Sequence, residues 1–530
     1  MKLKFSRKLR VLTFSLIATL AAIFCLYLYE TKDARQFEQL SQDLLYTELS
    51  GNTISLHYTL AYPENYGLSA DPILPSSFTD VDTRAQVTEW QRRLSCIDPQ
   101  KLDPQDRYAY LLFDRFLALT LEGADFTYYT DPLSPSSGMV SGLPVLLADY
   151  TFRTKKDVED YLGILEQTEA YFDALIRYEQ EKSSAGLFMS DTSADNVIEQ
   201  CDSIMDPVLL SDGSHFLQQT FTERLDGLAS DEIITGEEKQ QYIDKNNLLL
   251  TTVMAPAYER VGDAFLVLKG TGTNPYGLCY YPEGKEYYTY LLAQTTGSSR
   301  SIPEIRRLLE KDYQKNFHAL RDLVKDHPGL LKLSPEDFSL SLNMQNSYSD
   351  HPEEPGDTDL PTKPAATSDI LCRLSEAILD DLQKQMKPDF PKLTCIPEAK
   401  AGQEHDGESN SVSCQIKKVS SSMEAYSSPA YYLTPPIDDL WHNTIYLNEP
   451  NITDDLTLYT TLAHEGYPGH LYQTVYSQSF LNQQNASCIR SMLHYGGFVE
   501  GWAVYVENLS YGYAAQLTKN EEAAAYIEAC

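Results

Sequence analysis

The chain has 530 residues, with 42 Lys and Arg against 76 Asp and Glu, a formal net charge of −34. Such an acidic excess argues against nucleic acid as a partner, because neutralising phosphates needs clustered cations; it suits a well-solvated surface. Hydrophobic residues at 42% and charged residues at 22% are ordinary globular values, and 26 glycines fall below the usual proportion, which favours helix over turn-dense β architecture.

The N-terminus sets the cellular address. Residues 1–10 carry Lys2, Lys4, Arg7, Lys8 and Arg10 with no acid. Val11 to Tyr29 (VLTFSLIATLAAIFCLYLY) then runs without a charge. That is close to the roughly 20 residues a helix needs to cross a bilayer, and longer than a signal-peptide core. The basic tail stays cytoplasmic, so the remainder is expected outside as a single-pass, extracytoplasmic protein. Cys25 follows Phe24, not the small residue that lipoprotein processing needs, and no Ala-x-Ala site comes after the run. An uncleaved anchor over 11–29 is therefore the expectation, with secretion after signal cleavage as its alternative.

From 30 to 350 the pattern is helical. Arg107 to Leu121 places Tyr110, Phe113, Leu117 and Leu121 on one stripe. Lys156 to Glu181 does the same with Val158, Leu162, Leu165 and Tyr171. Ile302 to Val324 begins with Pro303 in its first turn and continues through Ile305, Leu308, Leu309 and Phe317. Apolar residues at this period mark amphipathic helices, and all three stripes are expected in the core. Residues 351–369 contain four prolines and almost no large apolar side chain, so they read as loop or linker. Residues 370–530 form the remaining segment. Within it, Cys395 and Cys414 bracket a polar stretch and are the first pair to test for a disulfide, which export would permit. No Cys-x-x-Cys is present, so a thiolate zinc site is not expected.

That last segment carries the chemistry. Residues 464–470 read His-Glu-Gly-Tyr-Pro-Gly-His. A helix starting near Thr453 to Asp455, with Leu456, Tyr459 and Ala463 facing the core, puts His464 and Glu465 in its last turn. A residue six further on lies about 120° away on a regular helix, so His470 would miss His464. Pro468 prevents that regular helix, and Gly466 and Gly469 permit unusual dihedrals. The surplus residues are expected to be absorbed as a bulge that returns His470 to the face of His464.

Two imidazoles holding zinc need a third protein ligand and an open position. In Gly497 to Tyr513, Phe498, Trp502, Tyr505 and Leu509 form one apolar stripe, while Val499, Ala503 and Val506 form the next. Glu500 and Glu507 share the remaining face. A carboxylate on so apolar a helix is costly unless a cation compensates it. Glu500 is thus the expected ligand, and Glu507 an alternate or an acid that orients a ligating histidine. Glu465, next to a ligand but not one, is the expected general base for a metal-activated water. Tyr505, Tyr511, Tyr513 and His494 are near enough in sequence to serve as donors to an oxyanion.

These residues resemble a known family. His-Glu-Gly-x-Pro-Gly-His followed by Glu-Gly-Trp-Ala-x-Tyr is similar to the bacterial domain of unknown function 885. Tyr431-Tyr432-Leu433 through Tyr446-Leu447-Asn448, and Pro282 to Tyr288 with Thr295-Thr296, resemble it further upstream. The resemblance implies a mainly α, zincin-like metallopeptidase fold with a small β component beside the site. It implies zinc held by His464, His470 and Glu500, Glu465 as base, and peptides as substrates of secreted or surface-exposed enzymes. The family usually continues beyond its Glu-Gly-Trp-Ala helix, whereas this sequence ends at Cys530. The expectation that follows is a truncated catalytic segment, with a peptide-binding pseudopeptidase as the alternative to an active enzyme.

Overall fold

The computed structural model describes residues 29–68, 71–78, 82–272, 277–341, 367–393, 412–419, 421, 424, 427–484 and 486–529. The expected anchor over 11–29, apart from Tyr29, lies outside them, as do Cys395 and most of the loop at 351–369. None of the helices among the described residues is long and apolar enough to cross a membrane.

The architecture is mainly helical, with one three-stranded sheet. Contacts divide the chain into two compact units. The first comprises Met1–Glu48, Asp82–Asp125 and Leu481–Leu493. Its core joins Phe37, Leu40 and Leu44 of the helix Lys32–Leu49 to Val87 and Trp90 of Thr83–Leu94. Phe113 and Leu117 of Pro104–Gly123, two members of the expected stripe, complete it. Asp33 ties this unit locally, accepting the Asp98 N–H at 2.9 Å.

The second unit comprises Leu49–Val81, Phe126–Phe480 and His494–Cys530. Its larger core forms around the helix Lys155–Ser184, whose capping box at Thr154 and Asp157 satisfies the first-turn donors. Val158, Leu162, Leu165 and Phe172 of that helix are buried against Val197 of Asp191–Ile204 and Tyr258 of Ala255–Leu268. A second core gathers Ile378 and Leu382 of Thr367–Gln385, Ile445 and Leu447 of the sheet, and Leu458 and Leu462 of Asp455–Glu465.

One expected core stripe is not core. The helix Ile302–Asp326 starts as read, with Pro303 in its first turn, but it contains no buried residue. Leu309 is 66% exposed and Phe317 51%. The 3.6-residue period shows which face of a helix would be buried; it carries no information on whether a partner covers that face.

The sheet consists of β1 (Ser413–Lys418), β2 (Ala430–Leu433) and β3 (His442–Leu447), in the order β1-β3-β2. β1 runs parallel to β3 and β2 antiparallel to it. The register places Lys417, Tyr446 and Tyr431 in one row, and Ile416, Ile445 and Tyr432 in the next. Because side chains alternate along a strand, these rows point to opposite faces. Ile445 and Leu447 face the second core, while Tyr446, Thr444 and His442 face the other way.

Candidate metal centre

The helix Asp455–Glu465 is capped by Asp454, whose carboxylate accepts the Thr457 N–H at 2.8 Å. Tyr459 and Ala463 are fully buried on one side, and His464 and Glu465, both half-buried, fall in its last turn. The helix stops there. Gly466 still donates to the Leu462 carbonyl at 2.9 Å, but its φ of −106° and ψ of −101° leave the helical path. A new helix begins at His470 and runs to Gln483. The expected bulge within one continuing helix is therefore corrected to a four-residue break between two helices. Pro468 has no N–H to donate to a preceding turn, and Gly466 has already departed, so the first ladder cannot be resumed.

Both glycines are required by crowding. A Cβ on Gly469 would lie 1.8 Å from the His464 carbonyl oxygen, and one on Gly466 would lie 2.6 Å from Leu379 Cδ2. The break is also tethered. Trp502 Nε1 donates to the Pro468 carbonyl at 2.9 Å, joining this turn to the helix Gly496–Ala515 that carries Glu500 and Glu507.

The result is convergence. His464 Nε2 lies 3.5 Å from one Glu500 oxygen, and His470 Nε2 lies 3.7 Å from the other. The two imidazole rings are 4.8 Å apart and nearly perpendicular. One donor atom from each of His464, His470 and Glu500 lies within 4.8 Å of the other two. Ligands about 2.0–2.2 Å from a tetrahedral zinc are separated by roughly 3.3–3.6 Å. The donor set and spacing thus fit such an ion with little movement. Glu507 accepts from His464 Nδ1 at 2.9 Å, which fixes the tautomer and directs Nε2 inward.

Charge follows from this geometry. Burial opposes protonation of His464, but the Glu507 hydrogen bond and the carboxylates of Glu465, Glu507 and Glu500 outweigh it and raise its pKa. Burial and the neighbouring His464 lower that of His470. Burial pushes the Glu465 carboxyl up to about 7, against the pull of His464 and of the Tyr432 N–H, with Glu500 and Glu507 adding to the rise. That N–H donates to Glu465 Oε2 at 2.9 Å, so the edge strand β2 aims the carboxylate into the cleft. The cleft measures about 430 Å³, and Tyr431, Tyr432 and Thr461 line it together with the four central residues and Glu507.

The remaining candidates are placed elsewhere. His494 lies exposed in the loop before the Glu500 helix, and Tyr505 is 60% exposed beside Trp502; neither lines the cleft. Tyr513 donates to Asp389 at 2.5 Å, and Tyr511 packs at the edge of the second core. The physical reason given for Glu500 also needs correction, since its side chain is 63% exposed. No burial penalty demands a cation there. Tyr432 and Thr461 were not anticipated. The role of Tyr432 belongs to its backbone, which leaves no side-chain signature.

The model for a family of bacterial proteins of unknown function, DUF885, matches residues 74–521, and the chain belongs to that family. No curated protein matches it. Among solved structures, a candidate lipoprotein from Colwellia psychrerythraea aligns over 94% of this chain and 80% of its own, with a TM-score of 0.72 at 16% identity. The two share a fold. A candidate lipoprotein of unknown function from Shewanella oneidensis aligns over 93% and 80% respectively, with a TM-score of 0.48 at 16% identity.

Proposed function

We propose that this chain is a zinc-dependent peptidase of zincin-like fold, with Glu465 as the general base. The observation that carries the reading is the convergence of His464, His470 and Glu500 donors beside a carboxylate that ligates nothing. Two nitrogens and one oxygen suit zinc, which when bound would polarise a substrate carbonyl and make a water molecule acidic near neutrality. His464 and His470 would hold the ion through Nε2, and Glu500 through its carboxylate. Glu465 Oε2 is held by Tyr432, which leaves Oε1 to take a proton from the attacking water and deliver it to the leaving amine.

The charge-free run at 11–29 behind a basic tail supports an extracytoplasmic protein held at the membrane. The description of the Colwellia protein as a candidate lipoprotein agrees with such a location. The functional test is incubation of the purified full chain with a mixed peptide library, with and without chelator, reading products by mass. New termini that vanish with chelator, and in Glu465→Gln, are expected. An unchanged library with zinc present, or undiminished cleavage by Glu465→Gln, would overturn the assignment.

A further inference from the structure

A cavity of about 680 Å³ lies on the opposite face of the sheet from the second core, larger than the metal cleft. Its floor is the outward row of side chains, including Tyr431, Thr444 and Tyr446. The walls come from the helix Phe216–Ser230, the helix Thr53–Thr59 and the turn around Arg153. Nothing in the proposed hydrolysis uses it. The volume falls within the range of small-molecule sites, roughly 300–1,000 Å³.

Two guanidinium groups set its chemistry. Arg224 gives Nε to the Thr220 carbonyl and Nη1 to those of Leu147 and Tyr150, and lies 4.6 Å over the Phe152 ring. Arg153 approaches a carboxylate only at 3.8 Å, from Asp439, which His442 also engages at 3.1 Å. Arg153 Nη1 is buried without an acceptor among the described residues, and Arg224 Nη2 has only the neutral Tyr161 hydroxyl beside it. A buried cation left in this state is costly, and a bound anion would compensate both groups. Between them, His57 stacks 3.6 Å from Tyr150 and accepts the Thr151 N–H at 3.1 Å. Burial and the two arginines hold this imidazole neutral, with a pKa pushed down to about 3.

The other charges limit the ligand. Lys417 is taken by Asp149 at 2.6 Å, which also accepts from the Tyr446 hydroxyl at 2.7 Å, and Lys418 is taken by Glu449. Asp149, Glu223 and Asp439 remain in the lining and disfavour a second negative charge on any ligand. Tyr431 and Tyr446 stack at 4.9 Å and offer an aromatic surface.

We propose that this cavity is a second binding site, for a ligand with one carboxylate end and an apolar or aromatic body, received by Arg153 and Arg224. This holds whether or not the metal centre hydrolyses peptides. The ligand is either the free C-terminus of a short peptide or a small free acid.

The test is calorimetric titration of the full chain, in chelator, with N-acetyl-Ala-Phe as free acid, the same dipeptide as its C-terminal amide, and phenylacetate. Saturable binding of a free acid is expected, with the amide at least about tenfold weaker, as for loss of a charge-assisted hydrogen bond. Arg153→Gln should weaken the acid by a similar factor, and Thr444→Trp, which fills the cavity, should abolish binding. Dipeptide binding without phenylacetate binding identifies a peptide C-terminus; tight phenylacetate binding identifies a small acid. Arg153→Gln gives up the 3.8 Å pair with Asp439 but adds no bulk, and circular dichroism confirms its fold, so it keeps the test decisive if Thr444→Trp fails to fold. Equal binding of acid and amide, absence of saturation at millimolar probe, or unchanged binding by a folded Arg153→Gln would overturn the proposal.

Discussion

The two faces of one small sheet meet opposite surroundings. Toward the second core, Ile445 and Leu447 are fully buried, and the edge strand hands its Tyr432 N–H to Glu465. On the other side, Tyr446, Thr444 and Lys417 line a cavity that contains two arginines. The alternation of side chains gives the two faces of three strands these different surroundings, with Tyr431 bordering both the cleft and the cavity. The apolar face packs beneath the proposed metal cleft, whereas the other face is itself the wall of a cavity.

Five substitutions probe that contrast, beginning with the largest effect. Glu465→Gln removes the proton acceptor that β2 positions and should lower peptide hydrolysis by roughly 10²–10⁴-fold. Zinc content should be unchanged, read by metal analysis beside the peptide assay. Next, Ile445→Ala opens a void in the supporting face and should cost about 2–4 kcal/mol of unfolding free energy. Thr444→Ala, one residue away on the cavity face, should cost less than about 1 kcal/mol. Comparable losses in denaturant titrations of the two variants would abolish the distinction between the faces.

A smaller effect is expected from Glu507→Gln. It keeps the shape of the acceptor to His464 Nδ1 but removes its charge, so zinc affinity should fall roughly 10–100-fold, measured by competition with a chromophoric chelator.

A further effect is a pH slope in the cavity wall. The folded-state pKa of His57 is about 3, depressed from 6.5 by burial and by Arg153 and Arg224. The unfolded chain therefore binds the proton more readily between pH 6.5 and 3. The stability contributed by the neutral imidazole is present above pH 6.5 and is lost as pH falls through that window. The slope is at most about 1.4 kcal/mol per pH unit. His57→Phe should flatten this part of the pH–stability curve; an unchanged slope would show that His57 is not held neutral.

Part of this was legible in the sequence. Pro468 between two glycines announces that a helix breaks between His464 and His470. The HNTIYL run of β3 shows its alternation directly. Other features were hidden for physical reasons. Whether the break is a bulge or two helices depends on how Gly469 packs against the His464 carbonyl, a contact measured in tenths of an ångström. The burial expected for Glu500 is contradicted by its open position, because the helix face that carries it is left uncovered. The stripe from Ile305 to Phe317 names an apolar face but no partner. The cavity joins β3 to Arg153 and Arg224, each more than 200 residues before it in the chain, and no local pattern announces such a meeting.

The central claim is most directly tested by zinc titration of the purified full chain and its ligand variants. One ion per chain is predicted, lost in His464→Ala and His470→Ala and much weakened in Glu500→Gln, while Tyr505→Phe and His494→Ala keep it. Equal zinc binding by the wild-type chain and a folded variant lacking both His464 and His470 would contradict the account.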